Sequence, residues 1–149
     1  MSGSNTASAV LGTERLLSAT PHETFAAFEQ PDLLARWWGP NGFTNTFDTF
    51  EFKPGGRWTL VMHGPDGTNY DNENVFRAIE PGSRIVIEHV VNPWFQLTVT
   101  LADRGHQTHL TWAQEFESPE VADRLRTFIN NANEEVLDRL ESVLASQCP

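Results

Sequence analysis

The sequence VADRLRTFINNANEEVLDRLESV at residues 121–143 decides the architecture of this chain. Its apolar residues recur at steps of three and four, which is the period of an α-helix with one buried face. Because Ser118-Pro119-Glu120 forms a helix start just before it, the segment predicts a final helix of about 27 residues, roughly 40 Å long. A helix of that length can cross a whole sheet. The apolar residues of this stripe are Val121, Leu125, Phe128, Ile129, Ala132, Val136, Leu137, Leu140 and Val143.

The chain before this helix reads as short strands separated by Gly and Pro turns. Aromatic, β-branched and threonine residues alternate in polarity along these segments, which is typical of strands buried on one face. Because the turns are too short for crossover helices, they predict an antiparallel meander. The predicted strands cover residues 43–52, 57–63, 69–79, 84–91, 95–102 and 108–116, after a first short strand around Leu16 and Leu17.

Two short helices are predicted between the first strand and the meander. Thr20-Pro21-His22-Glu23 has the form of a capping box with a proline at the first helical position. A second helix over residues 32–36 is stopped by Gly39-Pro40. Together the elements predict an α+β helix-grip fold, in which a curved antiparallel sheet of about seven strands wraps around a long C-terminal helix. Such a sheet and helix can enclose an apolar cavity.

The composition indicates a single acidic domain. The 149 residues, 39% of them hydrophobic, suffice for one globular core. The formal net charge of −10 repels phosphate backbones and anionic lipid headgroups, so we expect neither nucleic-acid nor membrane partners. No apolar run approaches the length of about 20 residues that a membrane helix needs, and the N-terminus lacks a signal-peptide pattern. These observations predict a cytoplasmic protein.

The two ends of the chain are expected to lie outside the domain. We predict a disordered leader over residues 1–12, a single helix-grip domain over residues 13–145 and a frayed C-terminus over residues 146–149. The single cysteine, Cys148, has no partner for an intramolecular disulfide and is expected to be an idle thiol.

The expected cavity draws apolar lining from the sheet and from the last helix. Trp38 precedes the Gly39-Pro40 break, where its indole would either close the cavity mouth or staple the short helices to the sheet. Core packing is the alternative role for the other apolar candidates as well. Those candidates are Trp58, Leu60, Met62, Phe95, Leu97, Trp112, Phe128 and Ala132.

Amide and imidazole side chains form a polar set in the same expected cavity. They could orient a carbonyl or hydroxyl group of a ligand, or simply bond to backbone at strand ends. The set requires even positions of the fourth predicted strand to face inward, whereas Val75 and Ile79 favour the other face. A β-bulge between them would reconcile the two patterns. The polar candidates are Asn72, Asn74, His89, Gln114 and Asn133.

No motif specifies catalysis, so no catalytic residue is assigned. His106 and His109 lie three apart in a predicted strand and face opposite ways, which argues against a metal pair. The glycine-rich turns join strands rather than open helices, so no phosphate or dinucleotide fingerprint is present. We expect neither a metal nor a cofactor. Arg139 falls in the apolar sector of the last helix, where it would extend past the sheet edge or pair with a ligand carboxylate.

Six short motifs over residues 13–145 together resemble the homologues of the activator of the heat-shock-protein-90 ATPase. This family belongs to the START-related SRPBCC superfamily, with the polyketide cyclases and the birch-pollen allergen type. The resemblance implies a helix-grip fold with a cavity and no single reaction. Ala132-Asn133 and His89 stand where many relatives carry Gly-Trp and an aromatic residue. The motifs are Trp37-Trp38-Gly39-Pro40, Lys53-Pro54-Gly55-Gly56-Arg57, Met62 with Gly64-Pro65-Asp66-Gly67, Ile79-Glu80-Pro81, Arg84-Ile85 and Leu137-Asp138-Arg139-Leu140.

Three functions are compatible with this sequence. The first is binding of a small apolar or aromatic molecule by a monomer or weak dimer. The second is an enzyme of cyclase, dehydratase or hydrolase type, with His89 as general base and Asn72, Asn74 or Gln114 orienting a carbonyl. The third is a co-chaperone-like domain, with a chaperone or a second copy as partner. An exposed apolar patch on the outer sheet face would favour the third.

Overall fold

The predicted α+β helix-grip fold is confirmed by the computed structural model, which describes residues 9–147. A long final helix lies on the concave face of a seven-stranded sheet, and two short helices follow the first strand. The elements are β1 (Val10–Leu17), α1 (Pro21–Glu29), α2 (Pro31–Trp37), β2 (Thr44–Phe50), β3 (Arg57–His63), β4 (Asn69–Glu80), β5 (Arg84–His89), β6 (Phe95–Arg104), β7 (Gln107–Phe116) and α3 (Pro119–Gln147).

The sheet is antiparallel throughout, with strand order β1-β7-β6-β5-β4-β3-β2. Strands β2 to β7 follow one another as a meander because short turns join them. Strand β1 forms one edge of the sheet and pairs with β7, so the first and last strands of the chain lie side by side. Helix α3 crosses the concave face and packs against β1 and β7, while α1 and α2 pack against its C-terminal part and the sheet.

The predicted capping box at the start of α1 is present. The Oγ1 atom of Thr20 accepts a hydrogen bond from the backbone N–H of Glu23 at 3.1 Å, and Oε1 of Glu23 accepts one from the N–H of Thr20 at 2.8 Å. These bonds satisfy two backbone donors that a helix end otherwise leaves unpaired. The local sequence alone therefore fixes where α1 begins.

Strand β4 contains the bulge that its two conflicting patterns required. Asn74 pairs with His89 and Phe76 with Ile87, but the register then shifts, leaving Arg77 as the extra residue. Asn74 and Phe76 face inward and are buried. Beyond the bulge Ile79 packs against the core. One extra residue thus reverses the facing of the strand.

Aromatic rings fill part of the space under the sheet. The rings of Trp58 and Phe76 stack with centroids 5.9 Å apart, and Phe28 packs edge-on against Trp37 at 4.8 Å. Both indoles are fully buried, and Nε1 of Trp37 donates to the carbonyl of Ala27 at 3.1 Å. The side chains of Trp58, Phe76, Phe28, Trp37 and Phe50 thus fill the space under this part of the concave face.

Strand β1 begins before the predicted start of the domain, and helix α3 ends after its predicted end. Strand β1 begins at Val10, inside the leader predicted for residues 1–12, and Leu11 is buried with Phe116 and Val121. Its pairing with β7 makes this segment part of the sheet. Residues 1–8 lie outside the described part of the chain, as does Cys148. At the other end, α3 continues to Gln147.

None of the helices found between residues 9 and 147 has the length and apolar character needed to cross a bilayer.

Candidate functional site

A cavity of about 850 Å³ lies between α3 and the concave face of the sheet. Its volume falls in the range of about 300 to 1,000 Å³ typical of small-molecule sites. Strands β3 to β7 provide one wall, and α3 provides the opposite wall from Phe128 to Val136. The mouth is bordered by the segment from Trp38 to Phe43 and by the loop at residues 91–93.

The apolar stripe of α3 is incompletely covered where it crosses this cavity. Val121 near its start and Val136 in its second half are buried. Between them, Ile129 and Ala132 are only partly buried, and Phe128 is 67% exposed. The helix therefore bridges the opening without sealing it, and its uncovered residues face or border the lumen.

Most of the predicted lining residues lie on the cavity wall. They are Trp38, Met62, Asn72, His89, Phe95, Leu97, Trp112, Gln114, Phe128, Ala132 and Asn133.

Three predicted lining residues lie elsewhere, and their assignment is corrected. Trp58 and Leu60 are buried in the hydrophobic core, where Phe50 and Phe76 pack against the Trp58 indole. Asn74 is 2% exposed, and its Oδ1 has no hydrogen-bond partner within residues 9–147. All three have the inward facing that alternation predicts. They miss the cavity because aromatic rings occupy the space on their side of it.

His89 forms the centre of a small polar wall. Its ring is 7% exposed and stacks on Phe95, with centroids 4.5 Å apart and planes within 12°. Nδ1 lies 2.8 Å from the carbonyl oxygen of Pro93, and Nε2 lies 2.5 Å from the side-chain amide of Asn72. Burial lowers the pKa of His89, although the carbonyls of Pro93 and Val91 oppose this shift. The ring is therefore neutral at pH 7.

Both ring nitrogens of His89 contact protein atoms. Nδ1 faces the carbonyl oxygen of Pro93, to which it can only donate. Nε2 faces Oδ1 of Asn72, and Nδ2 of the same amide donates to the carbonyl of Tyr70 at 3.3 Å. Both ring nitrogens are thus engaged by the protein itself.

Gln114 and Asn133 form a second polar group that joins β7 to α3. Nδ2 of Asn133 donates to Oε1 of Gln114 at 2.8 Å, and both side chains are buried. This bond uses one half of each amide. Within residues 9–147, Nε2 of Gln114 and Oδ1 of Asn133 make no further hydrogen bond. The pair lines the cavity with one donor and one acceptor unused.

Arg139 holds the cavity mouth instead of reaching solvent or a ligand. Nη1 donates to the carbonyls of Gly39 at 2.7 Å and Pro40 at 2.8 Å. Nη2 donates to those of Arg36 and Phe43, both at 2.9 Å. Both alternatives predicted for Arg139 are therefore wrong. Its partners include the unpaired end of α2, where a cation is favourable.

Charge is nearly absent from the cavity wall. Among the lining residues, which all lie in the described part of the chain, Asp71 alone carries a formal charge at pH 7. Asp71 is exposed and stands at the mouth beside Tyr70. The interior wall is therefore apolar and aromatic, with neutral amides and a neutral imidazole.

The histidines considered for a metal site have other environments. His106 is exposed, and Nε2 of His109 lies 2.6 Å from Oε1 of Glu14. Across residues 9–147 no three His, Cys, Asp or Glu side chains come together in a group that could hold a metal ion.

Large exposed apolar side chains in the described residues do not form one patch on the outer sheet face. Val10 and Leu16 are 42% and 51% exposed, but six residues of strand separate them by about 20 Å. Tyr70 and Phe128 lie instead at the cavity, and Val90 adjoins the lining residue Val91. Exposed apolar surface is thus concentrated at the mouth.

Comparison with known proteins places this architecture among solved relatives. The family model described as Activator of Hsp90 ATPase homolog 1-like protein matches residues 18–145. A solution structure from Arthrobacter aurescens is 26% identical, with TM-score 0.87 over 95% of this chain and 88% of that one. A Rhodobacter sphaeroides crystal structure is 27% identical, with TM-score 0.83 over 96% and 97%. The AHSA1-like protein of Aeromonas hydrophila, at 18% identity, TM-score 0.73 and 92% coverage of both chains, shares the fold. A search of functionally curated proteins finds no match.

Proposed function

This chain belongs to the family of Activator of Hsp90 ATPase homolog 1-like proteins, and we propose that it binds a small apolar or aromatic molecule in the cavity between α3 and the sheet. The family and its fold do not dictate this activity, because one fold hosts many functions. Support for an activity must therefore come from the site itself. As part of the same proposal, the protein works in the cytoplasm without nucleic-acid or membrane partners.

The observation that supports binding most strongly is the unsealed stretch of α3 above a cavity of about 850 Å³. Phe128, Ile129 and Ala132 leave apolar surface uncovered there. Covering such surface is favourable by about 25 cal/mol per Å², so an apolar ligand would complete the helix-to-sheet packing. A ligand that leaves part of the cavity unfilled is expected to bind with a Kd of about 1 to 100 μM.

The contacts of His89 favour binding over acid–base catalysis. A general base must reach the proton that it abstracts with a free lone pair. Here Nδ1 faces the Pro93 carbonyl, Nε2 faces Asn72, and one ring face is covered by Phe95. The imidazole is therefore a structural part of the wall. A co-chaperone role gains no support from the outer sheet face, because its exposed apolar residues are scattered.

A fluorescent probe tests the proposal directly. N-phenyl-1-naphthylamine is uncharged and brightens in apolar surroundings, so its titration reports binding. Ala132→Trp places an indole in the cavity from α3, whereas Asn131→Trp adds the same bulk at an exposed neighbour. We expect wild type and Asn131→Trp to bind the probe alike and Ala132→Trp to bind at least tenfold more weakly. Melting temperatures of both variants verify that they fold.

The proposal fails if the wild type does not bind the probe. It fails equally if Ala132→Trp, folded, binds the probe as well as Asn131→Trp does, because the probe would then lie outside the cavity.

A further inference from the structure

We propose that the ligand is uncharged and that it presents a carbonyl or hydroxyl group to the pair formed by Gln114 and Asn133. Carboxylates, including fatty acids and aryl acids, are then excluded. This inference rests on the proposed function and specifies the chemical class of the ligand for the same site.

The wall offers no cation to an anionic ligand. Lining residues from the described part of the chain include neither lysine nor arginine, and their one carboxylate, Asp71, would repel an anion at the mouth. Arg139 is committed to backbone carbonyls of the mouth segment. An anion entering here would lose its hydration without gaining a charged partner, which is strongly unfavourable.

His89 does not replace the missing cation. Its two ring nitrogens face Pro93 and Asn72, so neither nitrogen is directed at the lumen. Burial lowers the pKa of His89 and keeps the ring neutral at pH 7. The polar wall can therefore exchange hydrogen bonds with a ligand but cannot neutralise its charge.

The amide pair selects for a hydrogen-bonding group. The bond from Asn133 to Gln114 leaves a donor on Nε2 of Gln114 and an acceptor on Oδ1 of Asn133. Buried polar groups in folded proteins nearly always have partners. A ligand carbonyl could accept from Gln114, and a ligand hydroxyl could also donate to Asn133. A hydrocarbon would leave both groups unpartnered once it displaced water from the cavity.

Three competitors that share a naphthalene ring and differ in one substituent test the chemical class of the ligand. They are 2-acetylnaphthalene, 2-naphthoate and 2-isopropylnaphthalene, and each is measured by displacement of N-phenyl-1-naphthylamine. With wild-type protein we expect 2-naphthoate to bind at least tenfold more weakly than the ketone. This difference in affinity should persist at about 0.5 M salt, where the interaction of the ligand with protein charges more than about 4 Å away is largely screened.

A double variant tests the amide pair. Gln114→Met with Asn133→Leu removes both partners together, so neither amide is left alone. We expect the affinity ratio of ketone to hydrocarbon to fall about tenfold in this variant. Gln107→Met with Asn130→Leu makes the same two exchanges on β7 and α3 at exposed positions outside the cavity and should leave the ratio unchanged. If the double variant does not fold, Ala132→Lys still tests the ligand class, because it supplies a cation in the cavity and should raise the relative affinity of 2-naphthoate at least tenfold.

Each outcome decides between the two proposals. The proposed ligand class is overturned if wild type binds 2-naphthoate as tightly as the ketone or more tightly. It is also overturned if 2-naphthoate regains its affinity in high salt, because the preference for the ketone would then come from the net charge of the protein. An unchanged ketone-to-hydrocarbon ratio in the folded double variant overturns the role of the amide pair. Absence of probe binding overturns the proposed function, whereas probe binding with the wrong order of competitors leaves it intact.

Discussion

Replacing Arg139 by methionine should loosen the segment that borders the cavity mouth. The guanidinium donates to four backbone carbonyls at 2.7–2.9 Å, and they belong to Arg36, Gly39, Pro40 and Phe43. Methionine retains the aliphatic packing on α3 and removes all of these donors. The carbonyls would then have to find water or move.

The expected cost follows from the number and kind of these bonds. One hydrogen bond to a charged group contributes about 1.5–3 kcal/mol net, but methionine also removes the desolvation cost that the half-buried guanidinium imposes on folding. We therefore expect Arg139→Met to lower the free energy of unfolding by about 3–5 kcal/mol, far less than the sum of four bonds. For a chain of this length that corresponds to a melting temperature lower by about 6–20 °C. Arg139→Lys has three N–H donors and should recover about half of the loss.

Thermal and urea unfolding measure this cost, with Arg126→Met as the matched control on the same helix. Arg126 pairs with Asp123 at 2.8 Å, and both side chains are largely exposed, so its loss should stay within about 0.5 kcal/mol. The reasoning is refuted if Arg139→Met costs no more than this control. It is also refuted if Arg139→Lys is as stable as wild type, because a single ammonium cannot reach all four carbonyls.

Further predictions concern the core, a titrating ring and the contact between β1 and α3. Trp58→Ala should lower the free energy of unfolding by about 5 kcal/mol. Trp112→Ala should lower it by about 3 kcal/mol, because one side of Trp112 already opens onto the cavity. Equal losses in urea unfolding would contradict this. The pKa of His89 is lowered by burial from 6.5, so below about pH 6.5 the unfolded chain binds a proton that the folded chain resists, and stability falls with falling pH. His89→Gln removes this titrating ring, so the loss of unfolding free energy between about pH 7 and 5.5 should become smaller, by at most about 1.4 kcal/mol per pH unit. An unchanged loss in urea melts would contradict this. Arg15→Met leaves three carboxylates of α3 without their cation and should cost about 1–3 kcal/mol, more in low salt than in high salt; a loss independent of salt would contradict this.

Features that depend on neighbouring residues were predictable from the sequence. The capping box at Thr20, the inward facing of alternate strand residues and the stripe of α3 all follow from local periodicity and hydrogen-bonding capacity. The bulge in β4 was also detectable, because Asn74 and Ile79 cannot face the same way in an uninterrupted strand. The fold class followed from these elements together.

Features that depend on distant contacts were not predictable. Val10 and Leu11 are the only large apolar residues between Ser2 and Gly12, and their pairing with β7 makes the segment a strand. Trp58 and Leu60 alternate correctly, yet rings from other strands decide that they lie in solid core. The position of Arg139 in the apolar sector was a usable signal, but its carbonyl partners lie about 100 residues away in sequence.

The occupied site can be located most directly by intermolecular nuclear Overhauser effects between N-phenyl-1-naphthylamine and methyl groups of the protein. The methyl groups of Met62 and Leu97 line the cavity, whereas those of Leu16 are exposed on the outer face of β1. We predict contacts from the probe to Met62 and Leu97 and none to Leu16. Contacts to Leu16 without any to Met62 or Leu97 would contradict a ligand site beneath α3.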